Sequence, residues 1–202
     1  MARHFAQLGV LMAAMHGQAT GWTPPAGFRR HALDADGLMG PAPFWGPFWE
    51  HPVLSPAERS LLLRTRDTLR AALVRYGRPK RIFSLIHADL HPRNVVIGSS
   101  HAAVIDFDDA GFGWHQYDLA VALVWYQTHA AFAAIRDALV AGYRSVRPIA
   151  EQDLALLPMF LLIRDLAQIG WYGQRPELPR ADNLARIKER VCTIAAQFEP
   201  VC

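Results

Sequence analysis

Eight consecutive residues hold a dense set of polar groups: His87-Ala88-Asp89-Leu90-His91-Pro92-Arg93-Asn94. Twelve positions past Asn94 stands Asp106, followed by Phe107, Asp108 and Asp109. A strand ending at Ile86 would hand over to a loop carrying Asp89 and Asn94, and a hairpin after it would bring Asp106 back beside Asn94. One carboxylate, one amide and a second carboxylate then converge, with Asp108 as a further carboxylate. Oxygen donors of this kind suit Mg²⁺, which takes one or two carboxylates and completes its shell with water and phosphate oxygens. Asn94, Asp106 and Asp108 are therefore the candidate metal ligands, and Asp89 is left over as a base. His87-x-Asp89-x-His91 also offers ligands to zinc, so a zinc-dependent hydrolase is a competing reading. That reading needs a further His or Asp cluster downstream. His101, His115 and His129 stand apart in the sequence.

Those groups need a scaffold, and their neighbours supply one. Ile82 to Ile86 reads as a short buried strand. Val95-Val96-Ile97 and Ala103-Val104-Ile105 flank Gly98-Ser99-Ser100-His101, the pattern of a hairpin. Upstream, Phe5, Leu8, Leu11, Met12 and Met15 follow helical spacing over residues 3–17. Ser55-Pro56-Ala57-Glu58 is a capping box with proline at the first helical position. The helix it opens runs to Tyr76, where Gly77 stops it. Residues 22–54 are rich in Trp, Phe and Pro, poor linker material, and read as an ordered loop packed over the core. After Gly113 the spacing predicts helices over 116–128, 130–146, 151–172 and 181–198, with a kink at Pro158. The chain reads as α+β, mainly α, and as a single domain over residues 1–202.

The pattern H-x-D-x-x-x-x-N followed by two hydrophobic residues and Asp resembles the catalytic loop and metal-binding Asp of kinase-like folds. Here it reads Leu-Ile-His-Ala-Asp-Leu-His-Pro-Arg-Asn from Leu85, Val-Ile-Asp-Phe-Asp-Asp-Ala-Gly from Val104, and Tyr117-Asp118-Leu119-Ala120. The set resembles the aminoglycoside phosphotransferase and choline kinase family, in the style of its bacterial small-molecule kinases, homoserine kinase-like proteins included. The Leu8–His16 helix and the aromatic segment extend the likeness over most of the chain. It implies the large, C-terminal lobe of a protein-kinase-like fold, with the β-hairpin cluster carrying the catalytic loop. It also implies ATP and Mg²⁺ as cofactors, and transfer of the γ-phosphate to a hydroxyl of a small alcohol or amino alcohol. Asp89 would orient that hydroxyl and accept its proton, with His87 bracing the loop beside it. Asn94 and Asp106 would hold Mg·ATP, and Asp118 would tie the loop backbone from the next helix. Arg93 stands where many members have Gly, and Asp108 where protein kinases have the glycine of Asp-Phe-Gly.

A working kinase also needs a β-rich small lobe with a Gly-rich loop and a strand lysine. No Gly-x-Gly-x-x-Gly precedes His87, and the two lysines, Lys80 and Lys188, suit no such strand. The N-terminal β lobe is thus expected to be absent. This chain alone would then be weak or inactive, with apolar surface uncovered near Phe5, Leu8, Ile82 and Phe83 and a tendency to self-associate. A non-catalytic, pseudokinase-like binding lobe is the alternative. On the 151–172 helix, Arg164, Asp165, Trp171 and Tyr172 are candidate acceptor contacts: the carboxylate and aromatics for an amine, the guanidinium for a carboxylate. The net charge of +3 is too mild to argue for nucleic acid. Polar residues interrupt the apolar runs, so nothing argues for a membrane. Cys192 and Cys202 form no CxxC pair and fit free thiols in a reducing cytoplasm.

Overall fold

The computed structural model describes residues 1–97, 102–177 and 182–198, so the turn expected at 98–101 and the thiol of Cys202 lie outside the described residues. In chain order the elements are α1 (Ala2–Gly21), β1 (Ala32–Leu33), α2 (Ala35–Met39), α3 (Pro56–Tyr76), β2 (Phe83–Ile86), β3 (Val95–Ile97), β4 (Ala102–Val104), β5 (Gly111–Trp114), α4 (His115–Leu123), α5 (Phe132–Arg144), α6 (Glu151–Leu154), α7 (Leu157–Gly173) and α8 (Asp182–Gln197). Short 3-10 turns occupy Phe48–Glu50, Pro92–Asn94 and Val124–Tyr126. The order of a mainly helical chain around a small β cluster is the one expected.

The chain divides into two compact units, the first made of Met1–Ala32 and Arg78–Leu161. Its frame is a close crossing of α1 over α5. A Cβ at Gly9 would lie 2.1 Å from the Leu139 carbonyl oxygen, and one at Gly142 would lie 1.9 Å from that of Ala6. Only glycine lets the two backbones approach this far. Beside this pair, β5 runs antiparallel to β2 in register from Phe83↔Trp114 to Ile86↔Gly111. β5 was not expected: Gly-Phe-Gly-Trp carries two glycines and reads as a turn. It is a strand because β2 on one side and the His31 carbonyl on the other take up its hydrogen bonds, Phe112 N donating to His31 O at 3.0 Å. β3 and β4 form the separate hairpin, with Val95 opposite Val104.

Two expectations need correction. Residues 151–172 do not form one kinked helix but two, α6 and α7. Pro158 sits in the first turn of α7, where its missing N–H breaks no helical bond. The expected apolar surface near Phe5, Leu8, Ile82 and Phe83 is not uncovered: the first three are buried and Phe83 is half-buried. Phe83 packs edge-on against Trp114 at 5.2 Å, and Phe5 against Tyr126 at 5.0 Å. Exposed apolar side chains of the unit include Val10, Val96, Ile105, Phe107, Trp125 and Val146. The stretch Glu151–Gly173 is long and apolar enough to cross a membrane by composition, but most of it is buried inside the protein, as a core helix is.

The second unit takes Leu33–Gly77 and the residues from Leu162 onward. Leu38, Met39, Trp45, Phe48 and Trp49 of the aromatic segment are buried. The Arg66 guanidinium lies 4.7 Å over the Trp49 ring. α3 begins on its capping box, with Glu58 N donating to Ser55 Oγ at 3.3 Å and Ser55 N to Glu58 Oε2 at 2.7 Å. It ends at Gly77, whose φ of +70° favours glycine. Lys188 on α8 reaches Glu58 at 2.8 Å.

Candidate active site

β2 delivers the chain to His87, and the next residue already departs from ordinary geometry. Ala88 has a φ of 65°, in the left-handed region that a side chain with a Cβ normally avoids. The turn it makes aims Asp89 at the start of the hairpin. Asn94 Nδ2 donates to the Asp89 backbone oxygen at 2.9 Å and to its Oδ2 at 3.2 Å. His91 Nε2 lies 3.5 Å from the same carboxylate oxygen. The hairpin register then fixes the place of Asp106. Ile105 N donates to Asn94 O at 3.1 Å, so Asp106 comes one residue beyond the partner of Asn94. Asp106 also has a positive φ, 66°, which Asp tolerates better than most residues.

His87 ties these pieces together. It is fully buried, and both ring nitrogens are engaged. Nδ1 accepts from Asp89 N at 3.3 Å, which leaves Nε2 as the donor to Ile105 O at 3.0 Å. One side chain thus links the loop of Asp89 to the strand that leads into Asp106. Behind it, Asp118 is fully buried in the first turn of α4. Its Oδ2 accepts from His87 N at 3.0 Å and its Oδ1 from Ala88 N at 2.7 Å. Those bonds hold the strained turn at Ala88.

Sequence reasoning missed the next layer. His16 Nε2 meets Asp118 Oδ2 at 3.0 Å, and His16 Nδ1 meets the Tyr143 hydroxyl at 3.0 Å. His115 stacks on His16 with ring centroids 4.2 Å apart and bonds Ser84 Oγ at 2.9 Å. Burial, the His16 ring and Arg147 push the His115 pKa far below the usual histidine range, so this ring is uncharged. A signal existed: His16 falls four residues after Met12, on the face of α1 that buries Phe5, Leu8 and Met12. A polar residue on a core face must find a buried partner.

The Asp106–Asp109 loop is gripped differently. Arg30 donates to the carbonyls of Asp108 at 3.1 Å and Phe107 at 3.4 Å, and His31 Nε2 meets Asp109 O at 3.1 Å. Burial lowers the His31 pKa, with Arg30 adding to the effect against the backbone bond to Asp109. Asp106 and Asp108 are exposed. Phe107 packs on the His87 ring at 4.7 Å. It also lines an apolar cavity of about 310 Å³ with Met15, Trp22 and Leu85.

The residues fit Mg²⁺ better than zinc. The Asn94 amide nitrogen is committed to Asp89, so its carbonyl oxygen is the donor left for a hard cation, beside the exposed Asp106 carboxylate. For zinc, His87 has no nitrogen to give, and His91 Nδ1 accepts from Arg93 N at 3.2 Å. Among the described residues no group of three or more His, Cys, Asp or Glu could hold a metal ion. The acceptor candidates lie in the second unit. Asp165 is fully buried and held by Arg190 at 2.6 and 3.0 Å. Arg164 lies 5.3 Å over the Trp45 ring, and Trp171 packs edge-on against Tyr172 at 5.2 Å.

The sequence pattern of the phosphotransferase enzyme family matches residues 2–156, all of the loops just described included. The chain belongs to that family. A homoserine kinase of Rhizobium rhizogenes is 32% identical over 164 residues, which covers 78% of this chain and 47% of that kinase. A microcompartment-associated aminopropanol kinase superposes with a TM-score of 0.85 at 33% identity, over 98% of this chain and 62% of that one. An amicoumacin kinase solved in complex with AMP-PNP, Ca²⁺ and Ami superposes at 0.74 with 22% identity, over 95% of this chain and 59% of its own, and shows the shared fold. The protein thus has the phosphotransferase fold, and it spans about half the length of the curated relatives it matches.

Proposed function

We propose that this chain forms the catalytic part of a kinase that moves the γ-phosphate of ATP onto the hydroxyl of a small amino alcohol. The observation that carries this is the Asp89–Asn94 pair at the root of a hairpin whose other strand leads directly to Asp106. An acceptor hydroxyl against Asp89 attacks the γ-phosphorus. Its new O–P bond forms as the bond from phosphorus to the β,γ-bridging oxygen breaks. ADP leaves with that electron pair, and the hydroxyl proton passes to Asp89. Mg²⁺, bound through Asn94 and Asp106, would supply charge neutralisation on the phosphates. Asp118, His87 and Ala88 keep Asp89 in place while this happens.

The acceptor class is drawn from relatives at or above 30% identity. Aminopropanol and homoserine each present a hydroxyl and an amine a few bonds apart. Arg164, Asp165, Trp171 and Tyr172 are proposed as acceptor contacts on the chemistry of their side chains. The test is ADP release with Mg·ATP and either acceptor. It is run on residues 1–202 and on the same chain joined to the part of the aminopropanol kinase outside the match. The expectation is slow or no turnover by the first and acceptor-dependent turnover by the second. No acceptor-dependent release from either form would overturn the reading.

A further inference from the structure

Three side chains behind the catalytic loop form hydrogen bonds whose direction the carboxylate end fixes. Asp118 already accepts from the His87 and Ala88 amides at 3.0 and 2.7 Å, and a carboxylate can only accept. His16 Nε2, 3.0 Å from Asp118 Oδ2, is therefore the donor of that contact. A ring with its single proton on Nε2 presents a lone pair at Nδ1. The Tyr143 hydroxyl, 3.0 Å from Nδ1, donates to that lone pair. In the opposite direction His16 would turn a lone pair on the carboxylate. His16, Asp118 and Tyr143 are all buried.

We infer that Tyr143 is a positioning residue for the catalytic loop: its hydroxyl donates to His16 Nδ1 and holds the ring in the Nε2–H tautomer, and that N–H turns the Asp118 carboxylate so that both oxygens face the His87 and Ala88 amides. The inference rests on the phosphotransfer reading only for what the loop is for. With Nδ1 protonated instead, His16 would present a lone pair to the carboxylate, and Asp118 would lose its third donor and rotate. The backbone at Ala88, in the left-handed region at φ 65°, is the part least able to hold itself without those bonds. Tyr143 reaches this point from α5, on the helix that glycines 9 and 142 bring against α1. Its effect is therefore transmitted through His16 and not by contact with substrate.

The experiment is nuclear magnetic resonance on the 202-residue chain, labelled with ¹⁵N at histidine and along the backbone. Long-range ¹H–¹⁵N correlations of His16 are expected to show the Nε2–H tautomer. Tyr143→Phe is expected to mix the tautomers and to speed amide exchange at His87 and Ala88 by roughly tenfold, the loss of one buried hydrogen bond. Tyr126→Phe, outside the relay, is the control and should change neither. The decisive arm is the His16→Gln background, because a glutamine amide can donate to Asp118 without any choice of tautomer. There, Tyr143→Phe should leave exchange at His87 and Ala88 within about twofold of the single His16→Gln variant, well below the loss expected for one hydrogen bond. An imidazolium or Nδ1–H form of His16 in the parent would overturn the inference. So would an equal effect of Tyr143→Phe in both backgrounds, which would mean that the ring acts by packing. A failed ADP-release assay would sink the kinase reading and leave these measurements untouched.

Discussion

The two loops that carry the candidate site residues are held in opposite ways. His87–Asn94 hangs from a carboxylate that is itself buried, accepts two backbone amides and is backed by His16 and Tyr143. Asp106, Phe107 and Asp108 are exposed and Asp109 is half-buried, and Arg30 and His31 grip the loop through its backbone carbonyls. Both loops contain a residue with positive φ, Ala88 and Asp106, a cost on the order of 1–2 kcal/mol each. The first is offset by charge-assisted bonds in a dry interior. The second uses a residue type that accepts the conformation. The difference matches the roles proposed for each loop. A base would have to stay in one place, and here the backbone is fixed from within. A metal-binding carboxylate would have to meet a cation and phosphates arriving from solvent, and here the protein holds the main chain and leaves the side chain free to turn.

The largest expected effect separates chemistry from holding. Asp89→Asn should lower turnover by about a thousandfold or more, the size of a lost general base together with the positioning it supplies. Mg·ATP affinity should stay nearly unchanged. Asp106→Asn should do the reverse, weakening Mg·ATP binding first. Initial rates and titration calorimetry on the two variants give the answer. Equal effects of both substitutions on both quantities would erase the distinction between the loops.

The next effect concerns stability, where the loops should differ most plainly. Asp118→Ala strips the acceptor from two buried amides and from His16, and should destabilise by roughly 3–5 kcal/mol. Asp106→Ala removes an exposed carboxylate and should stay within about 0.5 kcal/mol. Urea unfolding followed by circular dichroism measures both. A loss of more than about 2 kcal/mol at Asp106, well outside the surface range, would mean that its loop is structural after all.

This asymmetry also explains what could be read from the sequence. The Asp89–Asn94 contact, the hairpin that returns to Asp106 and the bonds of Asp118 to the loop backbone were legible because a compact residue pattern places those atoms. The capping box at Ser55–Glu58 was legible for the same reason, as a purely local arrangement. His16 was not, although it sits on a core face, because its partners Asp118 and Tyr143 lie 102 and 127 residues away. Arg30 and His31 left no signal, since they bond to carbonyls that every residue possesses. β5 was hidden by its two glycines, and only its pairing with β2 makes it a strand. Local rules specify the groups, and the folded chain alone specifies who holds them.

The back of the site also depends on how closely two helices approach. Gly142→Ala puts a methyl group 1.9 Å from the Ala6 carbonyl oxygen, a contact that only backbone movement can relieve. A destabilisation of about 1–3 kcal/mol is expected, together with faster exchange at the Ala88 amide as α5 carries Tyr143 away from His16. Gly27→Ala is the control for a glycine outside the crossing. Its φ of +84° is strained for alanine, but the added Cβ would meet nothing within 4 Å. It should lower stability without touching Ala88. Matching exchange profiles for the two variants would show that the crossing does not position the loop.

The smallest effect per measurement is a pH slope, and it tells the two sides apart by histidine. His115 lies behind the loop, facing His16, Arg147 and Ser84, and its pKa is lowered far below the ordinary value of 6.5, chiefly by burial. The unfolded chain binds a proton near that value and the folded chain does not. The unfolded state therefore holds more protons at acid pH, and stability rises with pH across the window. The full contribution is present above about pH 6.5, the ordinary histidine value. It is lost as pH falls, by about 1.4 kcal/mol per unit for one proton. Between about pH 6.5 and 4.5 this slope should dominate, before carboxylates such as Glu58, whose own pKa lies below 4.5, begin to titrate. His115→Gln keeps a hydrogen-bonding group for Ser84 and removes the titration, so it should flatten the slope. His31 is half-buried beside the exposed loop, and its smaller shift has the same sign. His31→Gln should therefore trim the slope only slightly. Unfolding free energies measured across that pH range would decide it, and a larger change from His31→Gln than from His115→Gln would place the acid-sensitive contact at the front of the site instead of behind it.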